Sequence, residues 1–322
     1  MARCDRAHPD ARNFGLGSRD VGYAGLNALR EGMQSYSSIA TMADRWSQFA
    51  TWAKDMAAIK DMRQIETSTL RDYATHLIAR LERGEISPAT AQNALSTVNR
   101  VLEIARGDRA VRLDPVREAG LPIRSGIAAT DRAVPLSQHD HAVATVSERV
   151  AALLTLQREL GLRFEEAAKL DAQRALAQAE RYGQIRIENG TKGGLARELP
   201  CQTPAQHSAL AQAAAQQEGR SLIPASMSYR DFRAAAYSEL RSAGIRSHGE
   251  RHAYAQARYE TLTGALAPVA AGVAHGAEHH RFLADRLGIE VAAARVLDLQ
   301  ARERVAAELG HGRIDVTNSY LG

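Results

Sequence analysis

Apolar residues recur at three- and four-residue spacing along most of the chain, and this pattern constrains the fold more than any other feature. It is the spacing of one face of an α-helix, and the frequent Ala, Leu, Arg, Gln and Glu are good helix formers. One stretch, residues 184–200, alternates instead, with the turn dipeptide Asn189-Gly190 between its two halves. The sequence therefore predicts a mainly α fold that includes a small antiparallel β hairpin.

The N-terminal part of the chain divides into an arm and a helical bundle. Residues 1–34 are rich in Gly, Arg and Asp and show little periodicity, which predicts a flexible arm. Three periodic segments with short connections then predict a small all-α bundle over residues 35–110. The third segment opens with Ser87-Pro88, which is typical of an N-cap followed by proline at the first helical position.

A connector separates this bundle from a second domain. Three prolines punctuate residues 111–136, which favours an extended, semi-rigid linker. Residues 137–322 predict a mostly helical domain that contains the hairpin. Its first helix is expected to be capped by Ser137 and to continue up to Gly161.

Charge and cysteine content exclude several classes of protein. The net charge of +4, supplied mostly by arginine, suits a polyanionic partner, although a mildly basic enzyme has the same balance. Cys4 and Cys201 fit neither a metal-ligand spacing nor a disulfide framework, which predicts a reduced, cytoplasmic compartment. No apolar run has transmembrane length and the N-terminus lacks a hydrophobic signal core, so no membrane partner or export is expected.

Four separated segments carry residue types suited to attack on a phosphodiester without a metal ion. Such a reaction needs a nucleophile, cations for the non-bridging oxygens and an acid for the leaving 5′-oxygen. The segments are Gly161–Glu166, Gly190–Gly194, His248–His252 and Leu309–His311, the last followed nine residues later by Tyr320. Any one of them could occur by chance, whereas four in this order indicate one site.

In order and spacing, these segments resemble the box I, hairpin lysine, HxxR and LGH…Y motifs of the tyrosine recombinase (phage integrase) family. The resemblance covers about residues 137–322, and the bundle at 35–110 is similar to the family's SAM-like core-binding domain. The resemblance therefore implies a DNA-binding domain followed by a tyrosine recombinase catalytic domain.

The resemblance assigns chemical roles to four residues first. Tyr320 is the nucleophile that attacks the scissile phosphate and holds the DNA as a 3′-phosphotyrosine. Arg163 and Arg251 clamp the non-bridging oxygens, where guanidinium groups stabilise charge that grows in the transition state. Lys192, on the hairpin turn, is the general acid for the 5′-hydroxyl.

Further positions complete the implied site. His248 matches the family's general base or phosphate hydrogen-bond partner, and His311 its second phosphate donor. Glu166 matches an acidic position that supports the site, and His252 beside the HxxR box is a second supporting residue.

Glu250 departs from the family pattern, which usually has leucine before the second catalytic arginine. A glutamate there must point to solvent or pair with a cation. Paired with Arg251, it would weaken the hold of that residue on phosphate. We therefore expect Glu250 to lower cleavage, so that Glu250→Leu should cut DNA faster.

The stretch between the HxxR and LGH motifs is longer than the family typically has. Residues 260–300 predict an inserted helical hairpin that contacts DNA or another protomer. The chain ends at Gly322 without the family's C-terminal helix, so this insertion is expected to couple protomers unless coupling is weak. Three histidines in the insertion raise the alternative of a metal site, with a solvated or DNA-facing patch as the default; they are His275, His279 and His280.

The resemblance implies a site-specific recombinase that cuts and rejoins DNA through a Holliday junction and integrates, excises or inverts a DNA element. Its partners are then duplex DNA with a specific core site, three further copies of itself on two sites, and accessory DNA-bending or directionality proteins. No cofactor is implied, and the expected location is the bacterial nucleoid in the cytoplasm. Two alternatives are a type IB topoisomerase-like relaxing enzyme and a non-cleaving, decayed integrase that only binds DNA.

Overall fold

The computed structural model describes residues 10–322, so that the first nine residues, with Cys4 and part of the predicted arm, lie outside it. The chain divides into two compact units, Met1–Ser125 and Gly126–Gly322. Helices make up most of the described part, and one two-stranded antiparallel sheet is present there. The predicted fold class is confirmed.

Four α-helices build the first unit, and a small core of large side chains such as Trp46 and Phe49 lies between them. They are α1 (Val21–Gly32), α2 (Tyr36–Ala57), α3 (Thr67–Glu82) and α4 (Pro88–Arg106). The predicted cap of α4 is confirmed: Ser87 Oγ accepts a hydrogen bond from the Thr90 amide at 3.2 Å, and Pro88 is the first helical residue.

Helix α1 corrects the prediction that residues 1–34 form a flexible arm. It begins after Asp20, whose carboxylate accepts from the Tyr23 amide at 2.7 Å. A Cβ atom on Gly25 would lie 1.9 Å from Nε1 of Trp46, so that only glycine allows this close approach of α1 to α2. The buried face of the helix consists of Val21, Ala24, Gly25, Ala28 and Leu29, so only two of its five buried residues are large apolar ones.

The division between the units falls inside the predicted linker. Leu113 and Leu121 are buried in the core of the first unit, whereas Val134 is buried in the core of the second. Most of residues 111–136 is exposed, and single buried apolar residues anchor its two ends on the units.

The second unit contains the hairpin and eleven α-helices within the described residues. The elements before the hairpin are α5 (Leu136–Thr145), α6 (Glu148–Leu160), α7 (Phe164–Lys169) and α8 (Ala172–Tyr182). Strands β1 (Gln184–Ile187) and β2 (Arg197–Pro200) pair in antiparallel register, as predicted. The elements after it are α9 (Pro204–Gln216), α10 (Tyr229–Ser242), α11 (His248–Thr263), α12 (Pro268–Ala271), α13 (Ala277–Leu287), α14 (Val291–Leu309) and α15 (Asn318–Leu321).

The single helix predicted from Ser137 to Gly161 is wrong, because two helices occupy that stretch. Helix α5 starts at Leu136 with Pro135 in the capping position, so Ser137 is not the cap. The chain is extended at Val146, and α6 begins after Ser147. Ser147, which interrupts the run of regularly spaced apolar residues, is the sequence signal for the start of α6.

Helices α12 and α13 and the first half of α14 lie in the stretch predicted as an inserted hairpin. Helices α13 and α14 pack on each other around a small core of Ala265, Leu283, Ala284 and Ala294. Helix α14 continues beyond residue 300 and carries the chain to His311. None of the helices in the described residues is long and apolar enough to cross a membrane.

Candidate active site

Tyr320 lies on the last short helix, α15, with 7% of its surface exposed. Its hydroxyl oxygen Oη is 3.3 Å from His248 Nε2 and accepts a hydrogen bond from Arg251 Nε at 3.4 Å. Three histidine rings surround the tyrosine ring, with centroid distances of 4.5, 5.1 and 5.6 Å for His252, His311 and His248. The structure thus brings four of the predicted site residues to Tyr320.

Helix α11 supplies one side of this cluster. His248, Arg251 and His252 are separated by three and four residues, which places them on one helix face. Gly249 in the same turn lies against the preceding segment, where a Cβ atom would be 2.6 Å from Val134 Cγ2. The first turn of α11 is therefore fixed by close backbone packing.

Arg251 is fully buried and held by backbone carbonyls. Nη1 donates to the carbonyl of Gly161 and Nη2 to that of Leu309, while Nη2 also lies 3.4 Å from His311 Nε2. Burial lowers the pKa of Arg251 to about 10, which leaves the guanidinium charged at neutral pH. The residue is thereby a fixed cation beside the Tyr320 hydroxyl.

Two glycines allow these carbonyls to approach the site. Gly161 and Gly310 both have positive φ angles, 62° and 65°. A Cβ atom would lie 2.4 Å from the Tyr254 ring at Gly161 and 2.9 Å from Cδ of Arg197 at Gly310. At both positions a side chain would be strained and would collide.

The three histidines are neutral at pH 7. Burial, and then the neighbouring Arg251 and Arg163, lower the pKa of His311 to about 3. Burial, with the nearby His248, lowers the pKa of His252 to about 4. The pKa of His248 is also lowered, by burial and then by Arg251, so its ring can accept a proton from Tyr320.

Glu166 organises the arginines on the opposite side. Its carboxylate accepts from Arg163 Nη1 at 2.6 Å and from both terminal nitrogens of Arg197 at 2.8 Å. It also accepts from the Arg163 amide at 2.8 Å, which fixes the start of α7. Burial alone would raise the pKa of Glu166, but these hydrogen bonds and charges outweigh it and lower the pKa to about 2.

Arg197 is a site residue that the motifs did not identify. It lies opposite Ile187 in the hairpin, and directly opposed residues share one face of a sheet. Since Ile187 is buried, an arginine at its partner position was a detectable signal of a buried ion pair.

Glu308 was missed as well, although it precedes the LGH motif directly. It is 2% exposed and accepts from Tyr254 Oη at 2.9 Å and Arg258 Nη2 at 3.0 Å. Its backbone carbonyl accepts from Arg197 Nε at 2.8 Å. Glu308 therefore ties the end of α14 to α11 and the hairpin.

Lys192 is not brought into the cluster. It is exposed on the hairpin turn, and among the described residues it has no hydrogen bond or ion pair. The turn itself is held near the site, because a Cβ atom on Gly190 would lie 2.6 Å from the backbone oxygen of Glu165. Gly193 and Gly194 beside the lysine have open space around them.

Of the two options expected for Glu250, solvent or a cation, the structure shows the second. The cation is not Arg251. The buried carboxylate of Glu250 lies 2.8 Å from Arg158 Nη1 and 2.9 Å from His139 Nδ1. The route by which Glu250 was expected to weaken Arg251 is therefore absent from the contacts of the described residues.

The three insertion histidines do not gather as metal ligands. His275 Nδ1 is 2.9 Å from the Gly322 carbonyl oxygen, and His279 Nε2 is 3.1 Å from that of Leu266. His280 Nε2 lies 3.4 Å from the carboxylate of Asp298. Within residues 10–322 no group of three or more histidine, cysteine or acidic side chains is arranged to hold a metal ion.

Comparison with known proteins finds a family model that matches part of the chain. Residues 123–257 match the sequence model of the integrase family, described as "Integrase". No curated protein sequence matches the chain.

Solved structures with a similar fold include two of the Tn1549 transposon integrase. The one in complex with circular intermediate DNA has a TM-score of 0.53 at 13% identity and covers 95% of this chain and 96% of that chain. The one with transposon right end DNA has a TM-score of 0.52 at 11% identity and covers 94% and 95%. Residues 123–257 therefore match the integrase family in sequence, and the fold of the chain is similar to that of the Tn1549 integrase.

Proposed function

We propose that the chain is a site-specific DNA recombinase that cuts and rejoins duplex DNA through a covalent bond to Tyr320. One observation carries this proposal: the Tyr320 hydroxyl lies between a neutral His248 at 3.3 Å and the buried cation Arg251 at 3.4 Å. A base and a cation at one hydroxyl are what attack on a phosphate requires.

The charge around the hydroxyl suits a phosphodiester. Three guanidinium groups and one carboxylate form the cluster, and the histidines are neutral, so positive charge is in excess. Arg163 and Arg251 are the proposed clamps on the non-bridging oxygens, and Glu166 with Arg197 holds Arg163 in place. Charge that develops on phosphorus oxygens would thus meet preoriented donors.

In the proposed reaction the Tyr320 oxygen attacks phosphorus as its proton passes to His248. The bond to the 5′-oxygen breaks, that oxygen takes a proton from Lys192, and the DNA is held as a 3′-phosphotyrosine. His311 donates a second hydrogen bond to the phosphate, and its Nδ1 is already oriented 3.0 Å from Thr317 Oγ1. Attack by a 5′-hydroxyl from a second strand reverses the step, and because bond energy is conserved in the linkage, ATP is not consumed.

Lys192 would reach the leaving oxygen by movement of the turn that carries it. The flanking glycines have positive φ angles and open surroundings, which suits a turn that moves towards a DNA groove. Among the described residues, this lysine is joined to the rest of the proposed catalytic set neither directly nor through Glu166, whereas Arg163 is joined to it through Glu166.

The proposed partners are duplex DNA and further copies of the chain. The Tn1549 integrase structures are complexes with circular intermediate DNA and with transposon right end DNA. This likeness favours the DNA of a mobile element as the substrate of the present chain. Residues 35–110 are proposed to bind the core site, residues 137–322 to cut it, and the segment at 260–300 to contact DNA or a neighbouring protomer. Phosphate contacts should make binding fall steeply with salt.

The experiment is covalent trapping on nicked duplexes with a randomised centre, in which cutting releases a short fragment that carries the free 5′-hydroxyl, so that the strand cannot be resealed. The parent chain should form a protein–DNA adduct that survives denaturation, whereas Tyr320→Phe should bind the same pool without forming one. Binding without an adduct in the parent would favour the decayed integrase. An adduct without exchange between two recovered sites would favour the topoisomerase-like enzyme.

A further inference from the structure

A buried ion pair lies on α14, outside the residues proposed for catalysis. Asp298 and Arg302 are one helical turn apart and only 5% and 4% exposed. Arg302 Nε donates to both carboxylate oxygens of Asp298 at 3.0 Å. The charge of each group is thus balanced by the other.

Arg302 also reaches the helix that carries Tyr320. Its Nη1 donates to Asn318 Oδ1 at 2.8 Å and to the Gly322 carbonyl oxygen at 3.0 Å. These acceptors lie two residues before and two residues after Tyr320. A helix of four residues has little stability of its own, so bonds from outside determine where it sits.

Asp298 extends the connection to α11. Its Oδ1 accepts from the hydroxyl of Tyr259 at 2.5 Å, and Tyr259 is fully buried on α11. The Arg302 guanidinium lies over the same tyrosine ring, 5.9 Å from its centroid. One continuous set of contacts therefore joins the helix of His248 and Arg251 to the helix of Tyr320.

The arrangement is not the one that stability alone would favour. Arg302 Nη2 is buried and has no hydrogen-bond partner among the described residues. A buried cation with an unmade hydrogen bond is unfavourable, and apolar residues of similar volume often stabilise a core as well or better. Such a cost is expected where a geometry is needed for function.

We infer that Arg302, held by Asp298, is a positioning residue that fixes the Tyr320 helix relative to His248 and Arg251. It touches neither phosphate nor the reacting hydroxyl. Its effect on cutting rests on the proposed recombinase function, whereas its effect on α15 does not.

Three substitutions test this in the full-length chain. Asn318→Ala removes the acceptor on α15 and leaves the buried ion pair intact. Arg302→Gln removes the charge, and Arg302→Lys keeps the charge and one donor. Ser319→Ala is the matched control, since its hydroxyl bonds only to the Val316 carbonyl, at 2.7 Å, within the same short segment.

Single-turnover cutting of the nicked duplex pool is measured at saturating protein, together with the dissociation constant. Asn318→Ala and Arg302→Gln should cut about 10- to 100-fold more slowly with unchanged DNA binding, as a displaced reacting group predicts. Arg302→Lys should recover part of the rate, and Ser319→Ala should match the parent. Parent-like rates in both Asn318→Ala and Arg302→Gln, beside an active parent, would overturn the inference.

Amide hydrogen exchange without DNA separates this inference from the proposed function. Arg302→Gln and Asn318→Ala should speed exchange over residues 314–322 by about tenfold, because local opening of α15 becomes easier. If the parent forms no adduct, the recombinase proposal fails. Hydrogen exchange alone then decides whether Arg302 fixes the position of α15. Unchanged exchange in both variants would then refute it.

Discussion

Replacing Glu250 with leucine, the residue usual in the family, should destabilise this protein. The carboxylate is fully buried between Arg158 and His139, at 2.8 and 2.9 Å. Leucine would leave a guanidinium that is 17% exposed without its counter-charge. Removal of one partner from a buried ion pair costs about 3–5 kcal/mol. Because Arg158 keeps a hydrogen bond to the Val134 carbonyl and some solvent contact, we expect about 2–4 kcal/mol.

A double-mutant cycle separates the lost charge pair from a packing change. Arg158→Met alone leaves the buried carboxylate with His139 as its remaining partner and should cost about as much as Glu250→Leu. The double variant removes both charges and should recover to within about 1 kcal/mol of the parent. Urea unfolding at pH 7 followed by circular dichroism gives these values. Tryptophan fluorescence serves as the control because it reports unfolding of the first unit, where both Trp46 and Trp52 lie, whereas Glu250 and Arg158 lie in the second.

Two results would refute this reasoning. A Glu250→Leu protein as stable as the parent would mean that the ion pair contributes nothing. Strictly additive costs in the cycle would mean that Glu250 and Arg158 do not interact. The same variants also test the sequence-based hypothesis on activity: faster cutting by Glu250→Leu would support it, whereas the observed pairing predicts no gain.

Three further predictions concern the clamp, a close approach and pH. Arg197→Met should cost about 2–4 kcal/mol in urea unfolding and slow cutting, because it strips two hydrogen bonds from a buried carboxylate; parent-like values in both would contradict this. Gly161→Ala adds a collision to an unfavourable φ angle and should cost about 2–4 kcal/mol in thermal unfolding, against about 1–2 kcal/mol for Gly244→Ala, which has open space around it. The pKa of His311 is about 3 in the folded chain, below its ordinary value of 6.5, so stability is lost as pH falls below 6.5. His311→Gln should reduce this slope in urea unfolding by at most about 1.4 kcal/mol per pH unit, while the exposed His141→Gln should leave it unchanged.

Local patterns in the sequence were enough for most of the fold. The three- and four-residue spacing located the three bundle helices α2 to α4, and Ser87-Pro88 marked the start of α4. Helix α1 was not predicted because three of its five buried residues are glycine or alanine, and the fit of Gly25 depends on Trp46 of another helix. The local spacing of apolar residues does not predict how segments that are distant in the chain fit together.

The motif residues predicted one cluster, and five of them meet: Arg163, His248, Arg251, His311 and Tyr320 are joined directly or through Glu166 and backbone carbonyls. Arg197 and Glu308 were not foreseen, because their partners come from segments that only the tertiary fold brings together. Glu250 shows the same limit: the sequence predicted that it could pair with a cation, but it did not identify Arg158 and His139 as the partners. Lys192 remains a prediction from the motif.

The central claim is that Tyr320 forms the covalent bond to DNA, and peptide mapping of the trapped adduct tests it most directly. The parent chain is reacted with the nicked duplexes, digested with protease and nuclease, and analysed by mass spectrometry for peptides that carry a nucleotide. We predict that the nucleotide is attached to Tyr320, as a 3′-phosphodiester. A nucleotide on another residue, or a DNA complex from which no modified peptide can be recovered, would contradict the claim.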